Sequence, residues 1–371
     1  MGRYFVGAIS GTSTDGLDIA LIETEASPIR TLNARTIDFP QELRKSLLAL
    51  SKPGENEIYR KSHTDAQLGI FIGNSINDFV EDAGLKNSEI EAIGSHGQTI
   101  RHHPEATPSF TVQIGSGAHI AEICRIPTIN DFRSRDMAAG GEGAPLIPSF
   151  HDAIFRSEVN NRVILNLGGI ANISILDLDN NNDTLVGFDT GPANTLLDSW
   201  IESCQEKPFD HKGGWAKSGN LNGRLLTHLL KDPYFRSNPP KSTGKEHFNL
   251  LLVKSLIKKL SLTLEEVDVQ TTLSELTAIT IAQAITRWGP ASGEIIVCGG
   301  GRHNEYVLSR IKHHTPNYEL FLADDLGIDG DAVEACAFGW LAKCFMDDIQ
   351  ANPHHATGAA GPRVLGCLYP A

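Results

Sequence analysis

Two short apolar runs joined by a polar, glycine-bearing turn occur twice along the chain. Tyr4-Phe-Val-Gly-Ala-Ile9 is apolar and partly β-branched, Ser10-Gly-Thr-Ser-Thr-Asp-Gly16 interrupts it, and Leu17-Asp-Ile-Ala-Leu-Ile22 resumes it. This pattern predicts strand, tight turn, strand. Near mid-chain, Arg162 to Asn166, the turn Leu167-Gly-Gly169 and Ile170 to Leu176 repeat the arrangement. The copies share little identity, so the repeat predicts a duplicated architecture. A further apolar strand, Ile90 to Gly94, runs into Ser95-His-Gly-Gln-Thr99. Toward the C-terminus the period lengthens. Thr272-Leu-Ser-Glu275 fits a capping box, Leu276, Ile279, Ala282 and Ile285 follow at helical spacing, and Gly289-Pro290 stops the helix. Glu294 to Cys298 then reads as a buried strand, Gly299-Gly-Gly301 as a hinge or a close-approach loop, and Asn304 to Lys312 as a helix. The last twenty residues read as a returning strand or a tail. The mixture of buried strands and helices predicts an α/β protein.

The length of 371 residues suits two domains or one large one. A boundary is expected around 130–150, where Asp136-Met-Ala-Ala-Gly-Gly-Glu-Gly-Ala-Pro-Leu146 is rich in small residues. With 32 basic and 45 acidic residues the net charge is −13, and no dense Lys/Arg tract offers a nucleic-acid face. An acidic protein that binds anions must rely on backbone N–H groups or a few placed cations. The 35 glycines show no period of three, which excludes collagen. None of the six cysteines forms a C-x-x-C pair, which fits scattered thiols in a reducing compartment. No apolar run is long enough to span a membrane, and the chain turns polar at Ser10, too early for a secretory h-region. Residue 6 is Val, so the myristoylation pattern fails. A cytoplasmic protein, with no membrane and no nucleic-acid partner, is expected.

Several catalytic signatures are missing. Ser242-Thr-Gly-Lys-Glu246 lacks the upstream Gly and the Ser/Thr of a P-loop, and Gly115-Ser-Gly117 is not continued as a dinucleotide fingerprint. None of the 14 histidines forms H-E-x-x-H, and the adjacent pairs 102–103, 313–314 and 354–355 read as surface residues. What stands out is Gly11-Thr-Ser-Thr-Asp-Gly-Leu-Asp18. Its glycines let a phosphate approach the backbone, Thr12 and Ser13 carry hydroxyls, and Asp15 or Asp18 suits Mg²⁺; many hairpins, however, carry the same Asp-Gly turn. Asn166-Leu-Gly-Gly-Ile-Ala-Asn172 offers the same backbone features. Asp189, in Gly187-Phe-Asp-Thr-Gly-Pro-Ala-Asn194, is either a general base or the N-cap of a helix over 194–200. Ser95 to Thr99 either lines a cleft at a strand end or is a satisfied loop. Arg133 or Arg135 suits a carboxylate ligand, or both belong to a surface ion-pair cluster. Two glycine hairpins, an intervening Asp and a late strand–GGG–helix together resemble the hexokinase/actin-type ATPase plan.

More specifically, the chain resembles the anhydro-N-acetylmuramic acid kinase family from Val6 to Pro370. The motifs are Ser10 to Asp18, Ser95 to Thr99, Asp131 to Arg133 with Gly140 to Leu146, Leu165 to Asn172, Gly187 to Pro192, Ser242 to Glu246, Cys298 to Asn304 and Asp331 to Ala335. Each is common alone; their order along the whole chain is specific. The resemblance implies two actin-like (RNase H-like) domains with an ATP/substrate cleft between them, 1–135 with a return segment 351–371, and 136–350, usually as a homodimer. It implies a murein-recycling kinase that uses ATP, Mg²⁺ and water to convert 1,6-anhydro-N-acetylmuramic acid to N-acetylmuramic acid 6-phosphate. Closure of the two domains is then expected to exclude bulk water. Asp189 matches the family's base and Glu334 a carboxylate that helps hold the attacking water. ATP falls to Gly11, Thr12, Ser13, Thr14, Asp15, Gly16, Leu17 and Asp18, to Gly168, Gly169 and Asn172, and to Gly299, Gly300, Gly301 and Asn304. Mg²⁺ falls to Asp15 or Asp18. The sugar falls to His96, Gln98, Thr99, Arg133, Gly143 and Ala144. The chain departs from the family pattern at Ser116 (usually Asp), Glu142 (usually Gln), Ala193 (usually Gly) and Lys245 (often Arg). The competing readings are an ordinary hydroxyl-phosphorylating sugar kinase and a non-catalytic actin-like ATP-binding assembly protein.

Overall fold

The apolar runs that alternate with glycine turns pair with one another as hairpins. The computed structural model describes residues 2–371 apart from 12–13, 15, 27–28 and 179–185. The chain divides into two units, Met1–Ile154 with Gly327–Ala371, and Phe155–Leu326.

In the first unit β1 (Tyr4–Ile9) and β2 (Gly16–Glu23) pair antiparallel, and β3 (Arg30–Asp38) continues antiparallel on β2. On the other side of β1, β4 (Ile90–His103) lies parallel, and its outer half pairs with β5 (Phe110–Ile114). Next comes β6 (Thr128–Asn130), parallel to β4. In the second unit β7 (Arg162–Leu167), β8 (Ile170–Leu176) and β9 (Val186–Pro192) form an antiparallel meander. There β10 (Gly293–Cys298) lies parallel to β7, and β11 (Tyr318–Leu322) parallel to β10. The C-terminal strand β12 (Cys367–Tyr369) pairs antiparallel with β6 of the first unit. The sheet orders are thus β12-β6-β4-β1-β2-β3 and β11-β10-β7-β8-β9. Three antiparallel strands followed by two parallel ones occur in the same order in both, so the duplication read from the two glycine hairpins extends to whole sheets. Each unit has its own apolar core.

The helix Val333–Met346 lies against β1 and β4 at unusually short range. Glycine permits it: a Cβ at Gly7 would sit 1.8 Å from the Ala335 carbonyl oxygen, and one at Gly94 1.9 Å from that of Phe338. These contacts fix the first turn of the helix, which carries Glu334.

Four sequence expectations need correction. The helix expected to start at a Thr272 capping box runs from Glu266 to Trp288, with no side-chain cap. Thr272 lies in its interior and donates its hydroxyl to the Asp268 carbonyl at 2.7 Å, so an i−4 back-bond replaces the cap. Glu275 is buried and bonds Arg310 and His314, and His314 is therefore an anchor. The strand expected to end at Gly94 continues to His103. The domain limits also differ, because positions 135/136 and 350/351 both fall inside the first unit. The buried carboxylate of Asp136 accepts from Asn352 Nδ2 at 2.9 Å and Thr357 Oγ1 at 2.8 Å, tying residues near 136 to the C-terminal segment.

Candidate functional site

In the first unit the candidate residues gather around the break in β4. Ala8 pairs with Ser95 but Ile9 with Gly97, so His96 is the extra residue of a β-bulge, and Gly97 has φ +70°. Bulges of this kind re-aim a side chain beside a site. The buried His96 ring bonds the Gly97 carbonyl through Nδ1 at 3.0 Å, and Arg133 Nε donates to its Nε2 at 2.9 Å. Those partners assign the neutral Nδ1–H tautomer. Burial, reinforced by the Arg133 charge, holds the His96 pKa well below its ordinary value. Arg133 also donates to the Gly143 carbonyl at 2.7 Å. Burial lowers its pKa to about 10, against the pull of Glu334 and Asp136, so it is a cation at neutral pH. Gly143 has φ +72°, and its N–H bonds Asp136 Oδ2 at 2.9 Å. His96, Arg133 and Gly143 therefore form one connected group. Gln98 Oε1 accepts from the Ser10 hydroxyl at the start of the first glycine turn, and Thr99 Oγ1 accepts from Gln113 at 3.0 Å. A cavity of about 320 Å³ opens beside this group, lined by His96, Asn130, Asp131, Ser116, Lys61 and Tyr369 among others. Ala144 follows Gly143 in the same loop, half-buried.

The carboxylates of this unit interact. Glu334 has a raised pKa, first through burial and then through Asp18, with Arg133 opposing. Asp18, on β2, is raised by burial and by Asp331, while the Thr36 hydroxyl bonds it at 2.6 Å. Crowded carboxylates of this kind favour a cation nearby. Among the described residues, no three His, Cys, Asp or Glu side chains gather as a metal cage. Mg²⁺ does not need one, because it retains waters and takes one or two carboxylates plus phosphate oxygens. Asp18 and its neighbours fit that pattern. In the first turn, Thr14 is buried with φ +57°, and its carbonyl accepts from Arg44 at 3.0 Å. Gly11 is half-buried and accepts from the Thr14 N–H at 3.1 Å. Gly16 and Leu17 belong to β2, and Leu17 is a fully buried core residue. Thr12, Ser13 and Asp15 lie outside the described residues.

In the second unit the two remaining glycine loops meet. A Cβ at Gly299 (φ +79°) would sit 2.3 Å from Asn166 Oδ1, and one at Gly301 2.7 Å from Leu167 Cβ, so the GGG loop packs on the end of β7. Only residues without a Cβ allow this approach. The Gly168 carbonyl accepts from the Asn194 N–H at 3.1 Å, and that of Gly169 from Ala193 and Thr195 at 3.0 Å each. Gly300 has open space around its Cα. Asn304 caps the helix Glu305–His314 by accepting from the Val307 N–H at 3.1 Å. Asn172 sits opposite Asp189 in the β8–β9 register, next to a bulge that leaves Thr190 unpaired in the ladder.

Asp189 does not cap the following helix. That helix spans Asn194–Gln205 with Ala193 at its N-cap, and Asp189 lies on the edge strand β9. Its Oδ2 accepts the Thr243 N–H at 3.0 Å, and its carbonyl accepts the Tyr234 hydroxyl at 2.7 Å. Burial raises its pKa to about 6, with Thr243 and Lys241 pulling down and Glu246 pushing up. A carboxylate poised there suits proton transfer near neutral pH. The segment rejected as a P-loop is therefore a strap on this carboxylate. Sequence reasoning assigned no site role to Tyr234, Lys241, Thr243 or Asp136. Only the Ser242-Thr-Gly-Lys-Glu246 motif, which includes Thr243, touched this group.

An α/β protein with duplicated sheets, glycine loops that expose backbone, and a half-buried carboxylate whose pKa is raised to about 6 has the parts of a group-transfer enzyme. A family model described as anhydro-N-acetylmuramic acid kinase matches residues 3–371. A protein of that name from Pseudomonas syringae pv. syringae (strain B728a) is 41% identical over 371 residues, covering 100% of both chains. Another from Xylella fastidiosa (strain Temecula1 / ATCC 700964) is 44% identical over 373 residues, covering 99% of this chain and 96% of the other. Among solved structures, the activator of the 2-hydroxyisocaproyl-CoA dehydratase from Clostridium difficile with bound ADPNP matches with a TM-score of 0.44 at 13% identity, covering 94% of this chain and 98% of that one. The chain belongs to the anhydro-N-acetylmuramic acid kinase family. Among the described residues, no helix is long and apolar enough to cross a membrane.

Proposed function

We propose that the chain uses ATP and water to convert 1,6-anhydro-N-acetylmuramic acid to N-acetylmuramic acid 6-phosphate. Full-length family membership supports the substrate class. The observation that carries the chemistry is Asp189, a half-buried carboxylate held by the Thr243 N–H at 3.0 Å, with its pKa raised to about 6.

O6 of the anhydro sugar is an ether oxygen bridging C1 and C6, with no proton to give up. It becomes a nucleophile only as its bond to C1 breaks. Water forms a new bond to C1, the C1–O6 electron pair stays on O6, O6 bonds the γ-phosphorus, and ADP leaves with the bridging oxygen. Asp189 accepts the proton that the water loses. We assign Glu334 as the second catalytic carboxylate. The backbone of Gly11 to Asp18, Gly168, Gly169 and Gly299 to Gly301 is assigned to ATP, with Asn172 and Asn304 beside it. Phosphoryl transfer needs such positioning and charge neutralisation more than covalent help. Bound Mg²⁺ would offset phosphate charge, with Asp18 or Asp15 as its protein ligand. His96, Gln98, Thr99, Arg133, Gly143 and Ala144 are assigned to the sugar, where the cationic Arg133 suits its lactyl carboxylate. A homodimer and a cytoplasmic location are proposed on the family resemblance. An assembly protein would need no base, so Asp189 favours catalysis; an ordinary hydroxyl kinase would use the same carboxylate to deprotonate a sugar alcohol, and family membership is what favours the anhydro sugar over it.

Asp189→Asn tests the assignment, because an amide cannot take the proton. The variant should fold and lose turnover by at least about 100-fold, the low end for a general base. Near-normal turnover would remove Asp189 from this role.

A further inference from the structure

The segment 234–243 grips Asp189 from the free edge of β9. Asp189 lies on the outer strand of its sheet, where among the described residues no further strand pairs with it. The strap supplies what is missing. The Lys241 carbonyl accepts the Asp189 N–H at 3.3 Å, the Tyr234 hydroxyl donates to the Asp189 carbonyl, and the Thr243 N–H donates to the carboxylate. Lys241 itself pins the strap. Its ammonium donates to the Tyr234 carbonyl at 3.1 Å and stands 4.5 Å from the Tyr234 ring centroid and 5.5 Å from that of Phe188, the neighbour of Asp189. Cation–π placement and a carbonyl bond hold the charge without a direct ion pair to the carboxylate.

We propose that Lys241 is a positioning residue for Asp189, pinning the strap that aims the carboxylate and placing a cation beside it. The proposal rests on the reading of Asp189 as the base. The charged and titratable groups around the pair are few. Glu246 acts on Asp189 against Lys241, Tyr234 bonds it, and Arg287 faces Lys241 from the helix Glu266–Trp288. Arg287 also donates to the Arg236 carbonyl and to Asn238 Oδ1, so the helix holds the middle of the strap. Burial works against the charged form of Asp189, and the Lys241 ammonium offsets part of that cost. The carboxylate and the ammonium are each favoured by the other, since Asp189 also raises the Lys241 pKa against burial.

Lys241→Met keeps a straight apolar stem against the two rings and removes the charge. The titration of the Asp189 carboxyl, read by difference infrared spectroscopy against Asp189→Asn, needs no turnover. Its midpoint should rise by about one pH unit in Lys241→Met, the low end for losing a nearby opposite charge, and return in Lys241→Arg. The acid limb of kcat/KM for the anhydro sugar should move with it, about tenfold in rate well below the midpoint. Tyr234→Phe keeps the charge and breaks the bond to the Asp189 carbonyl; it should lower kcat with the acid limb unmoved. An Asp189 midpoint unchanged in Lys241→Met, or left shifted in Lys241→Arg, overturns the charge role. Wild-type kcat in Tyr234→Phe overturns the aiming role and stays readable if the Met variant fails to fold. Absence of turnover in the wild-type protein overturns the base reading itself and is told apart from these by the titration.

Discussion

At the residue scale, the site depends on groups whose ionisation is set by burial and by a few partners. Asp189 shows the sign of the effect. Its folded pKa is raised from 3.8 to about 6, so the folded state binds the proton more tightly than the unfolded chain. Its contribution to stability is therefore fully present below 3.8 and is lost as pH rises through about 6. Asp189→Asn, which stays neutral, should gain stability relative to wild type over that window, with a constant gap of roughly 1–3 kcal/mol above it. Urea melts of both proteins at several pH values measure this; a gap independent of pH would contradict it. His96 shows how far a sequence reading reaches. A polar residue after an apolar strand marks a site, but the bulge that aims it follows from the pairing of Ile9 with Gly97. Asp136 was not legible as a hub, since its partners Asn352 and Thr357 lie 216 and 221 residues further on.

At the element scale, the position of Glu334 is set by the close approach of the helix Val333–Met346 to β1 and β4. Gly7 and Gly94 are where that approach would fail, because their Cβ atoms would collide with backbone carbonyls that cannot rotate away. Gly7→Ala and Gly94→Ala should each cost about 3 kcal/mol or more, at or above the upper end of ordinary overpacking. Gly214→Ala, at the first turn of the helix Gly214–Ser218 with open space around it, should be neutral or slightly stabilising. Chemical denaturation of the three variants checks the contrast; equal effects would contradict the packing argument. The hairpins β1–β2 and β7–β8 were legible because apolar runs and glycine turns are local signals. The start of the helix Glu266–Trp288 was not. Its Thr and Ser hydroxyls bond carbonyls four residues back, at Thr271, Thr272 and Ser274, so a motif that normally marks a helix start lies in its middle. The strap was illegible for another reason. Two of its three bonds to Asp189 come from backbone groups of Lys241 and Thr243, which carry no residue-type signal, and the third, the Tyr234 hydroxyl, lies 45 residues away.

At the scale of the whole molecule, two sheets with one strand order bear different chemistry on a shared plan. The first unit holds Asp18 and His96 on its sheet and Glu334 and Arg133 beside it; the second holds Asp189 on its edge strand and the two glycine loops that meet at the end of β7. The duplication was visible as two hairpins half a chain apart, although its extent into the parallel strands was not, since β4, β6, β10 and β11 share no common motif. The boundaries were misread because composition near 136–146 suggests a linker, whereas Asp136 and Gly143 anchor that loop inside the first unit. The central claim is that ring opening by water and phosphorylation occur in one reaction. The measurement that tests it most directly is ADP release on adding 1,6-anhydro-N-acetylmuramic acid in ¹⁸O-labelled water, with the mass of the product. The account predicts a sugar 6-phosphate carrying one heavy oxygen for each ADP released. Turnover without label, or turnover only with sugars that offer a free hydroxyl, would contradict it.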